Sequence, residues 1–351
     1  MYIKQFLYDE RGCAAYFIAS RSSREAVVVD PQLDVGEYSR LAADRGYRII
    51  AAVDTHLHAD HVSGNRALAR ATGATVYLHA SADVDFEFTG LHHGDVLGIG
   101  QLELRVVHTP GHRPEAMSLL VTNPPRSPEP SMVLSGDTLF VGDVGRPDFG
   151  GAEGADQQWE SVQRLLELPD WVEVFPAHFE GSCGKGMCGR PSSTIGFERR
   201  YNPVLTMSHE QFLSYAAEPP ARPLNMTAIM DTNQGRAELG FAQEIGDADP
   251  PRWDIDQAKE HIRSRHPVVL DVREGHEFAA GHLPGAWHLP QADILTRIDE
   301  LPRDREILVV CATGGRSRQV ARFLAGHGIE DVGDLIGGTA AWREAGEPIE
   351  G

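Results

Sequence analysis

The chain has 351 residues, 41% of them apolar and 24% charged, which is typical of a soluble globular protein with room for two domains. Its formal net charge of −19 argues against nucleic acid or an anionic membrane surface as a partner. No apolar run approaches the roughly 20 residues that span a bilayer. Residues 1–9 lack a signal-peptide pattern, and four cysteines are too few for a disulfide framework, so we expect a cytoplasmic protein.

The first two-thirds of the chain alternates short apolar runs with helical patterns. Strands are predicted at 26–29, 49–53, 75–78, 102–107, 117–121, 132–134 and 172–175. Helices are predicted at 35–45, 66–72, 157–168 and 207–217, the second of them capped by Ser63 or Asn65. Several strands end on a polar residue. This pattern favours a two-sheet α/β layer structure with a site along one edge.

One stretch, from Thr55 to Gly64, carries three imidazoles and a carboxylate within six positions: His56, His58, Asp60 and His61. If His56 and His58 are still extended, their side chains point the same way, because strand side chains alternate with period two. A turn would then bring Asp60 and His61 to the same place. So many imidazole and carboxylate groups in so few positions indicate a site for a first-row metal rather than a cluster of solvated surface histidines.

Three later strand ends repeat the theme. His112 lies in His-Thr-Pro-Gly-His, Asp137 in Ser-Gly-Asp-Thr-Leu-Phe and His178 in Pro-Ala-His, each in a loop after an apolar strand. A single histidine in a loop is more often solvated than bound to a metal. The recurrence after the histidine-rich stretch indicates that all of these residues meet at one metal site.

Together these motifs resemble the metallo-β-lactamase superfamily, over residues 1 to about 231. The resemblance implies an αββα sandwich with the metal at the sheet edges. It also implies a first site of His56, His58 and His112, a second of Asp60, His61 and His178, and an Asp137 able to bridge them.

Two further stretches, Gly-Arg-Pro-Asp-Phe at 145–149 and the segment 193–203, resemble the persulfide dioxygenase branch. In that branch one iron(II) is held by the residues matching His56, His112 and Asp137. Two histidines and one carboxylate leave a face of the iron open, where a persulfide and dioxygen can bind side by side. The other four candidate ligands are all retained, so a binuclear zinc site, as in glyoxalase II thioesterases, stays open.

The remaining polar candidates near this site have two interpretations each. Arg146 either binds a substrate carboxylate through a bidentate pair or forms a salt bridge with Asp148 or Asp143. Cys183 and Cys188 are either small buried thiols or a redox-sensitive pair.

A linker is predicted at 232–251, between a first domain at 1–231 and a second at 252–351. It carries several glycines, acidic residues and Pro250-Pro251. Beyond it, strands are predicted at 268–270, 286–289 and 307–310, and helices at 256–265, 292–301 and 318–325. Short strands alternating with helices predict a parallel sheet with helices on both faces.

Cys311 follows the apolar strand at 307–310 and opens a glycine-rich turn into a helix. Backbone N–H groups there converge on one point, the helix dipole adds positive potential, and Arg316 adds a charge. A cysteine in that position should have a lowered pKa and act as a nucleophile. The loop residues expected to bind its substrate are Ala312, Thr313, Gly314, Gly315 and Ser317.

This loop is similar to the active-site loop of rhodaneses, the sulfurtransferases. Asp271-Val272-Arg273, the segment 281–286, Gly337-Gly338 and Ala341-Trp342 match other signatures of the family. The resemblance covers residues 253–351 and implies a persulfide intermediate on Cys311. Only six positions run from Cys311 to Arg316, which favours sulfur over phosphate chemistry.

The combination predicts a sulfide-oxidation enzyme. One Fe(2+) per chain would serve the oxidation of glutathione persulfide, or a similar persulfide, by O2 to sulfite and thiol. Cys311 would exchange sulfur between thiosulfate and thiols. The alternatives are a zinc thioesterase with a regulatory rhodanese domain, and a non-enzymatic sulfur carrier or sensor with a degenerate metal site. The sequence leaves both a monomer and a homo-oligomer open.

Overall fold

The computed structural model describes residues 1–8, 12–181, 183–238 and 249–351. The chain divides into two compact units, which do not follow the sequence in single blocks. The first unit is Met1–His58, Val62–Pro220 and Asn233–Arg236, and the second is Ala59–His61, Ala221–Thr232 and Ala237–Gly351. Residues 239–248, the middle of the predicted linker, lie outside the described residues. The boundaries at 231 and 252 therefore stay a prediction.

The first unit contains two six-stranded sheets, in each of which neighbouring strands follow chain order. The first sheet comprises β1 (Tyr2–Tyr8), β2 (Cys13–Ala19), β3 (Glu25–Val29), β4 (Arg48–Val53), β5 (Thr75–His79) and β6 (Thr89–Leu91). The second comprises β7 (Val96–Ile99), β8 (Leu102–His108), β9 (Met117–Thr122), β10 (Met132–Gly136), β11 (Glu173–Pro176) and β12 (Ser193–Thr194). Strands β3 to β6 pair in parallel, as do β10 and β11, and the other pairs are antiparallel.

Helices cover the outer faces of both sheets. They are α1 (Gly36–Arg45), α2 (Asn65–Thr72), α3 (Gly154–Leu166), α4 (Ile195–Tyr201) and α5 (His209–Ala216). Strand β2 shows how the layers form, because its residues alternate between two cores. Tyr16 lies in the core between the sheets with Leu119, while Phe17 lies in the outer core with Tyr38 of α1 and Leu68 of α2. The αββα sandwich is confirmed.

The second unit contains a five-stranded sheet in which all pairs are parallel. In spatial order its strands are numbered 13-17-16-14-15, with β13 at Arg252–Trp253, β14 at Val268–Asp271, β15 at Trp287–His288, β16 at Ile307–Val310 and β17 at Val332–Leu335. The helices are α6 (Met226–Asn233, all but its last residue in this unit), α7 (Ile255–Arg265), α8 (Gly275–Ala279), α9 (Gly315–Gly326) and α10 (Gly338–Glu344).

The central strand β16 has helices on both of its faces, as predicted. Ile307 and Val309 lie in one apolar cluster with Phe323 of α9, and Leu308 lies in another with Trp342 of α10. Cys311 therefore follows the middle strand of the sheet, at the edge where ligands bind in such folds.

The structure differs from the predicted elements in several places. Strands β1 and β2 were not predicted, although β2 is a fully apolar run. The prediction also lacks strands β6, β7, β12, β13 and β17 and helices α4, α6, α8 and α10. The predicted helix at 292–301 is two short 3₁₀ helices, Gln291–Asp293 and Leu295–Glu300. Within the described ranges, no helix combines the length and the apolar character that a membrane crossing requires.

Candidate metal centre and active-site cysteine

Three of the predicted ligands converge where strands of both sheets end. His56 follows β4, His112 follows β8 and Asp137 follows β10, and all three are buried. The Nε2 atom of His56 lies 3.8 Å from Oδ2 of Asp137, and Nε2 of His112 lies 3.5 Å from the same oxygen. The fold thus brings together the two-histidine, one-carboxylate set that the sequence predicted for iron.

The hydrogen bonds of these residues fix which ring nitrogens face the centre. Nδ1 of His112 donates to the carbonyl oxygen of Arg146 at 2.8 Å, so its Nε2 carries the lone pair. The hydroxyl of Thr55 donates to Asp30 at 3.0 Å and accepts from Nδ1 of His56 at 3.0 Å, which again leaves Nε2 unprotonated.

Asp137 completes a set of three acceptors. Its buried Oδ2 has no hydrogen-bond partner among the residues that the structure describes. Two imidazole lone pairs and a carboxylate oxygen therefore face one another with no donor between them. Buried acceptors in this arrangement require a cation, so the residues fit a metal ion with nitrogen and oxygen ligands.

The electrostatics of the site favour the same protonation states. Burial, with the neighbouring His58, holds the pKa of His56 well below its usual value, and burial lowers the pKa of His112. Burial alone would raise the pKa of Asp137, but His178, His56 and His112 outweigh it and hold that pKa well below the usual range. At neutral pH the imidazoles are neutral and the carboxylate is ionised, as metal binding requires.

Gln158 of α3 connects two of the ligand loops, and sequence reasoning missed it. Its Oε1 accepts from the backbone N–H of His112 at 2.8 Å, and its Nε2 donates to the carbonyl of Thr138 at 2.8 Å. The loop approaches the helix so closely that a Cβ on Gly111 would lie 2.3 Å from Cα of Gln158. A sequence signal was present, since Gln158 lies four residues before Val162 and therefore on the apolar face of the predicted helix.

Asp30, at the end of β3, was also missed. It accepts from the backbone N–H of Thr55 at 2.7 Å and lies 3.2 Å from Nε2 of His58. Nearby Asp54 accepts from Ser63 at 2.9 Å, and burial raises its pKa to about 7. Through these contacts to Thr55, His58 and Ser63, the two carboxylates position the histidine-rich loop that carries His56.

The residues predicted for a second ion have carboxylate neighbours of their own. Nδ1 of His178 donates to Oδ1 of Asp137 at 2.8 Å, and its Nε2 lies 3.8 Å from the sulfur of Cys183. In the histidine-rich stretch at 55–64, Nδ1 of His61 lies 3.2 Å from both carboxylate oxygens of Asp60. His178 therefore orients the carboxylate of the triad, and the number of ions stays a prediction.

Arg146 forms the salt bridge that was one of its two predicted interpretations. Its Nε and Nη2 donate to the two carboxylate oxygens of Asp148 at 2.7 and 2.8 Å, and its guanidinium carbon lies 4.4 Å from the ring centre of Phe149. The backbone carbonyl of Arg146 also accepts the hydrogen bond from His112, so Arg146 helps to position one of the candidate metal ligands. A role in binding substrate stays a prediction.

The loop after Asp137 is fastened by α4, the helix of the 193–203 segment. Glu198 accepts from the backbone N–H of Gly142 at 2.8 Å, and Asn202 donates to the carbonyl of Asp143 at 3.0 Å. Of the two cysteines nearby, Cys183 is buried and Cys188 is exposed, so the interpretation of both as small buried thiols is wrong for Cys188, and the redox-sensitive pair stays a prediction.

In the second unit, Cys311 lies at the end of β16 with its sulfur turned into its own loop. The backbone N–H of Gly314 donates to that sulfur at 3.1 Å, and the hydroxyl of Ser317 lies 3.4 Å from it. Gly314 has φ of +93°, a left-handed conformation that a glycine adopts without strain, and α9 begins at the next residue. The loop is a cradle of amides around one thiol.

The other residues predicted for this loop differ in exposure and in partners. Ala312 is half-buried, while Thr313 and Gly315 are exposed at the mouth. Arg316 was expected to add positive charge beside the thiol. Its two terminal nitrogens donate to both carboxylate oxygens of Glu277 at 2.7 and 2.6 Å. Against the effect of burial, Glu277 and, more weakly, Cys311 raise the pKa of Arg316, so the guanidinium interacts with the thiol while Glu277 offsets part of its charge.

Comparison with known proteins matches two families, one in each part of the chain. Residues 8–178 match the family model of the metallo-beta-lactamase superfamily, and residues 254–345 match that of the rhodanese-like domain. The mitochondrial persulfide dioxygenase ETHE1 of Homo sapiens is 31% identical over 214 residues, which are 59% of this chain and 77% of the relative. The Bos taurus protein of the same name is 30% identical over the same length and shares.

Solved structures agree with these relatives. A crystal structure of ETHE1 from Myxococcus xanthus is 30% identical, with a TM-score of 0.60, and covers 67% of this chain and 99% of its own. A structure described as a metallo-beta-lactamase from Staphylococcus aureus is 28% identical, with a TM-score of 0.65, and covers 95% of this chain and 99% of its own.

The chain therefore belongs to the metallo-β-lactamase superfamily and carries a C-terminal rhodanese-like domain; within that superfamily it is homologous to the ETHE1 persulfide dioxygenases.

Proposed function

We propose that the first unit is an iron-dependent persulfide dioxygenase that oxidises glutathione persulfide, or a similar low-molecular-weight persulfide, to sulfite and free thiol. The observation that carries the proposal is the convergence of His56, His112 and Asp137 as three acceptors, with no donor between them from the described part of the chain, in a homologue of ETHE1. One iron(II) held by these residues would supply open coordination positions and redox capacity.

The chain's own residues prepare this centre. Burial keeps the imidazoles of His56 and His112 neutral. The hydroxyl of Thr55 and the carbonyl of Arg146 accept from the Nδ1 atoms of these two histidines, so that both Nε2 atoms face Asp137. The hydrogen bond from His178 occupies one oxygen of Asp137, so the carboxylate offers the other. Burial of all three ligands keeps bulk water from their atoms. These features support a site that binds one cation with little rearrangement.

The second unit, we propose, moves sulfane sulfur between thiosulfate and thiols. The thiolate of Cys311 attacks the outer sulfur of the donor, the S–S bond breaks, and sulfite or a thiol leaves with the electron pair. A second thiolate then removes the sulfur and restores Cys311. The N–H of Gly314 and the first-turn amides of α9, where the N-cap Gly314 provides no side-chain hydrogen bond, support this role, because they stabilise negative charge on sulfur.

The dioxygenase activity is tested by oxygen uptake of iron-loaded protein given glutathione persulfide. We expect sulfite and consumed oxygen in equal amounts, because one O2 supplies two of the three sulfite oxygens and water the third. No oxygen uptake would contradict the proposal. Two zinc ions per chain with hydrolysis of S-lactoylglutathione would replace it with the thioesterase alternative.

The sulfurtransferase activity is tested by sulfite release from thiosulfate in the presence of glutathione. We expect release that depends on Cys311, with one sulfur atom found on that residue by mass spectrometry when the acceptor is left out. Release at the rate of the uncatalysed reaction would contradict this half of the proposal and leave the first half standing.

A further inference from the structure

A cleft beside the cysteine loop is lined by charged side chains, and their arrangement indicates which class of substrate Cys311 takes. The cleft has a volume of about 290 Å³ and opens against Ala312 and Thr313 of the cysteine loop. Helix α10 closes its far side and is tied to the loop, since the N–H of Thr339 donates to the carbonyl of Cys311 at 2.7 Å. A sulfur donor that approaches the cysteine loop from this cleft meets the side chains that line it.

Three charged side chains line the cleft: Arg273, Glu277 and Arg343. Arg273 is buried and its guanidinium donates to both oxygens of Asp271, at 2.9 and 2.7 Å. Glu277 is paired through both of its oxygens with Arg316. Each of these two charges is therefore matched by an opposite charge in direct contact.

Arg343 differs from both. Its Nη2 donates to the carbonyls of Ala280 and Gly281 at 3.1 and 3.0 Å, which fixes the guanidinium at the cleft wall. Among the residues that the structure describes, no carboxylate lies within 4.0 Å of it. The cleft therefore has a net charge of about +1, which comes from the Arg343 guanidinium. The N–H groups of Arg343 that do not bond Ala280 and Gly281 can donate to a carboxylate of the substrate.

This balance is a poor match for thiosulfate. Thiosulfate is a dianion, and the cation nearest to the cysteine in sequence, Arg316, is already bound by Glu277. A second negative charge at the mouth of the loop would lie near the Glu277 carboxylate, whose repulsion offsets the attraction of the arginines. A donor with one carboxylate distant from its sulfur avoids that repulsion and meets Arg343 instead.

We propose that the Cys311 site takes organic persulfides and thiols that bear a carboxylate, bound by Arg343, and that Glu277 disfavours thiosulfate by holding Arg316. The inference rests on the proposed sulfurtransferase function and names its preferred substrate class. Glu277 is a specificity-determining residue, and Arg343 a substrate-binding one.

The test uses two isosteric donors, the persulfides of 3-mercaptopropionate and of 3-mercaptopropionamide, with thiosulfate as the third. The full chain is mixed with each donor, and intact-mass spectrometry follows the gain of one sulfur atom, with C311S as the blank. For the R343Q variant we expect the second-order rate of loading to fall about tenfold with the carboxylate donor and to stay within about twofold with the amide.

The reciprocal variant separates the two residues. With E277Q we expect loading from thiosulfate to rise about tenfold and loading from the amide persulfide to stay unchanged. R263Q, which removes an exposed charge from α7 in the same unit, is the matched control and should change none of the three rates. Circular dichroism of each variant shows whether it folds, and the conservative R343K should keep part of the preference for carboxylate.

Two outcomes overturn the inference alone: equal effects of R343Q on the acid and the amide, or an unsubstituted protein that loads from thiosulfate as fast as from the carboxylate persulfide. If the unsubstituted protein gains no sulfur on Cys311 from any donor, the sulfurtransferase function fails, and the inference fails with it.

Discussion

The metal centre and the cysteine loop are assembled in opposite ways. The ligands of the metal centre come from the ends of strands in two sheets and meet only when both sheets pack. The cysteine loop is one run of seven residues, from Cys311 after β16 to Ser317 in the first turn of α9, and its contacts to the sulfur come from Gly314 and Ser317 within that run. One site depends on tertiary structure, and the other mainly on local backbone geometry.

The two sites also differ in how complete they are. The sulfur of Cys311 has protein partners, whereas Oδ2 of Asp137 faces two lone pairs and has none among the described residues. The metal centre is therefore a set of ligands that a cation must complete. In the proposed function, the cysteine loop would accept and release sulfur with protein atoms alone. Substitutions that separate these two activities test the comparison.

Removing the carboxylate of the triad should have the largest effect. In D137A the two imidazoles lose the anionic member of the set, so we expect iron content to fall to background and oxygen uptake to be abolished. Sulfur transfer from thiosulfate should persist, which shows that the protein is folded. The exposed Asp44→Ala substitution is the control and should change neither activity. Iron bound at full stoichiometry in D137A would contradict this ligand set.

Replacing the sulfur nucleophile should give the reciprocal result. In C311S we expect sulfur transfer to be abolished, because a serine hydroxyl cannot carry sulfane sulfur, while oxygen uptake with added glutathione persulfide stays largely intact. C188S, at the exposed cysteine of the first unit, is the matched control and should keep both activities. Loss of both activities in C311S would mean that the two sites are catalytically coupled.

Gln158 tests whether the metal centre depends on distant packing. Truncation in Q158A leaves the N–H of His112 and the carbonyl of Thr138 buried without this partner, which should cost about 1–3 kcal/mol of unfolding free energy. We also expect weaker iron binding. The preceding residue, Gln157, is half-buried and its side chain bonds only Glu153 at the surface, so Q157A should cost less than about 0.5 kcal/mol. Chemical denaturation of both variants gives the comparison, and equal costs would contradict it.

The smallest effect concerns the pH dependence of stability. Burial, together with His108 and His92, lowers the pKa of His79 from 6.5 to about 4. The folded state then binds fewer protons than the unfolded state, so this contribution is complete above pH 6.5 and is lost as the pH falls from 6.5 towards 4.

The variant H79Q removes that titration. Its unfolding free energy should therefore fall less steeply than that of the unsubstituted protein between pH 6.5 and 4, in denaturation curves measured at several pH values. Identical slopes for H79Q and the unsubstituted protein would show that His79 keeps an ordinary pKa.

The sequence was most informative where chemistry is concentrated in short motifs. His56, His112, Asp137 and Cys311 were all identified because reactive residue types recur after apolar strands. The fold class followed from the same motifs and from strand and helix patterns. The predicted helix at 292–301 failed because apolar spacing does not distinguish an α-helix from successive 3₁₀ turns.

Hydrogen bonds between residues that are distant in the chain could not be predicted from the sequence. Gln158, Asp30 and Glu277 are single polar residues in ordinary contexts, and only the packed structure shows that they hold His112, His58 and Arg316. For the same reason the salt bridge of Arg146 could not be separated from a substrate contact. Partner choice is a property of tertiary packing, which a local pattern does not encode.

The most direct test is metal analysis of protein purified without oxygen from cells supplied with iron, by mass spectrometry of the elements together with protein quantification. The account predicts one iron per chain, lost in D137A and kept in D44A. Two metal ions per chain, or zinc in place of iron under these conditions, would contradict it.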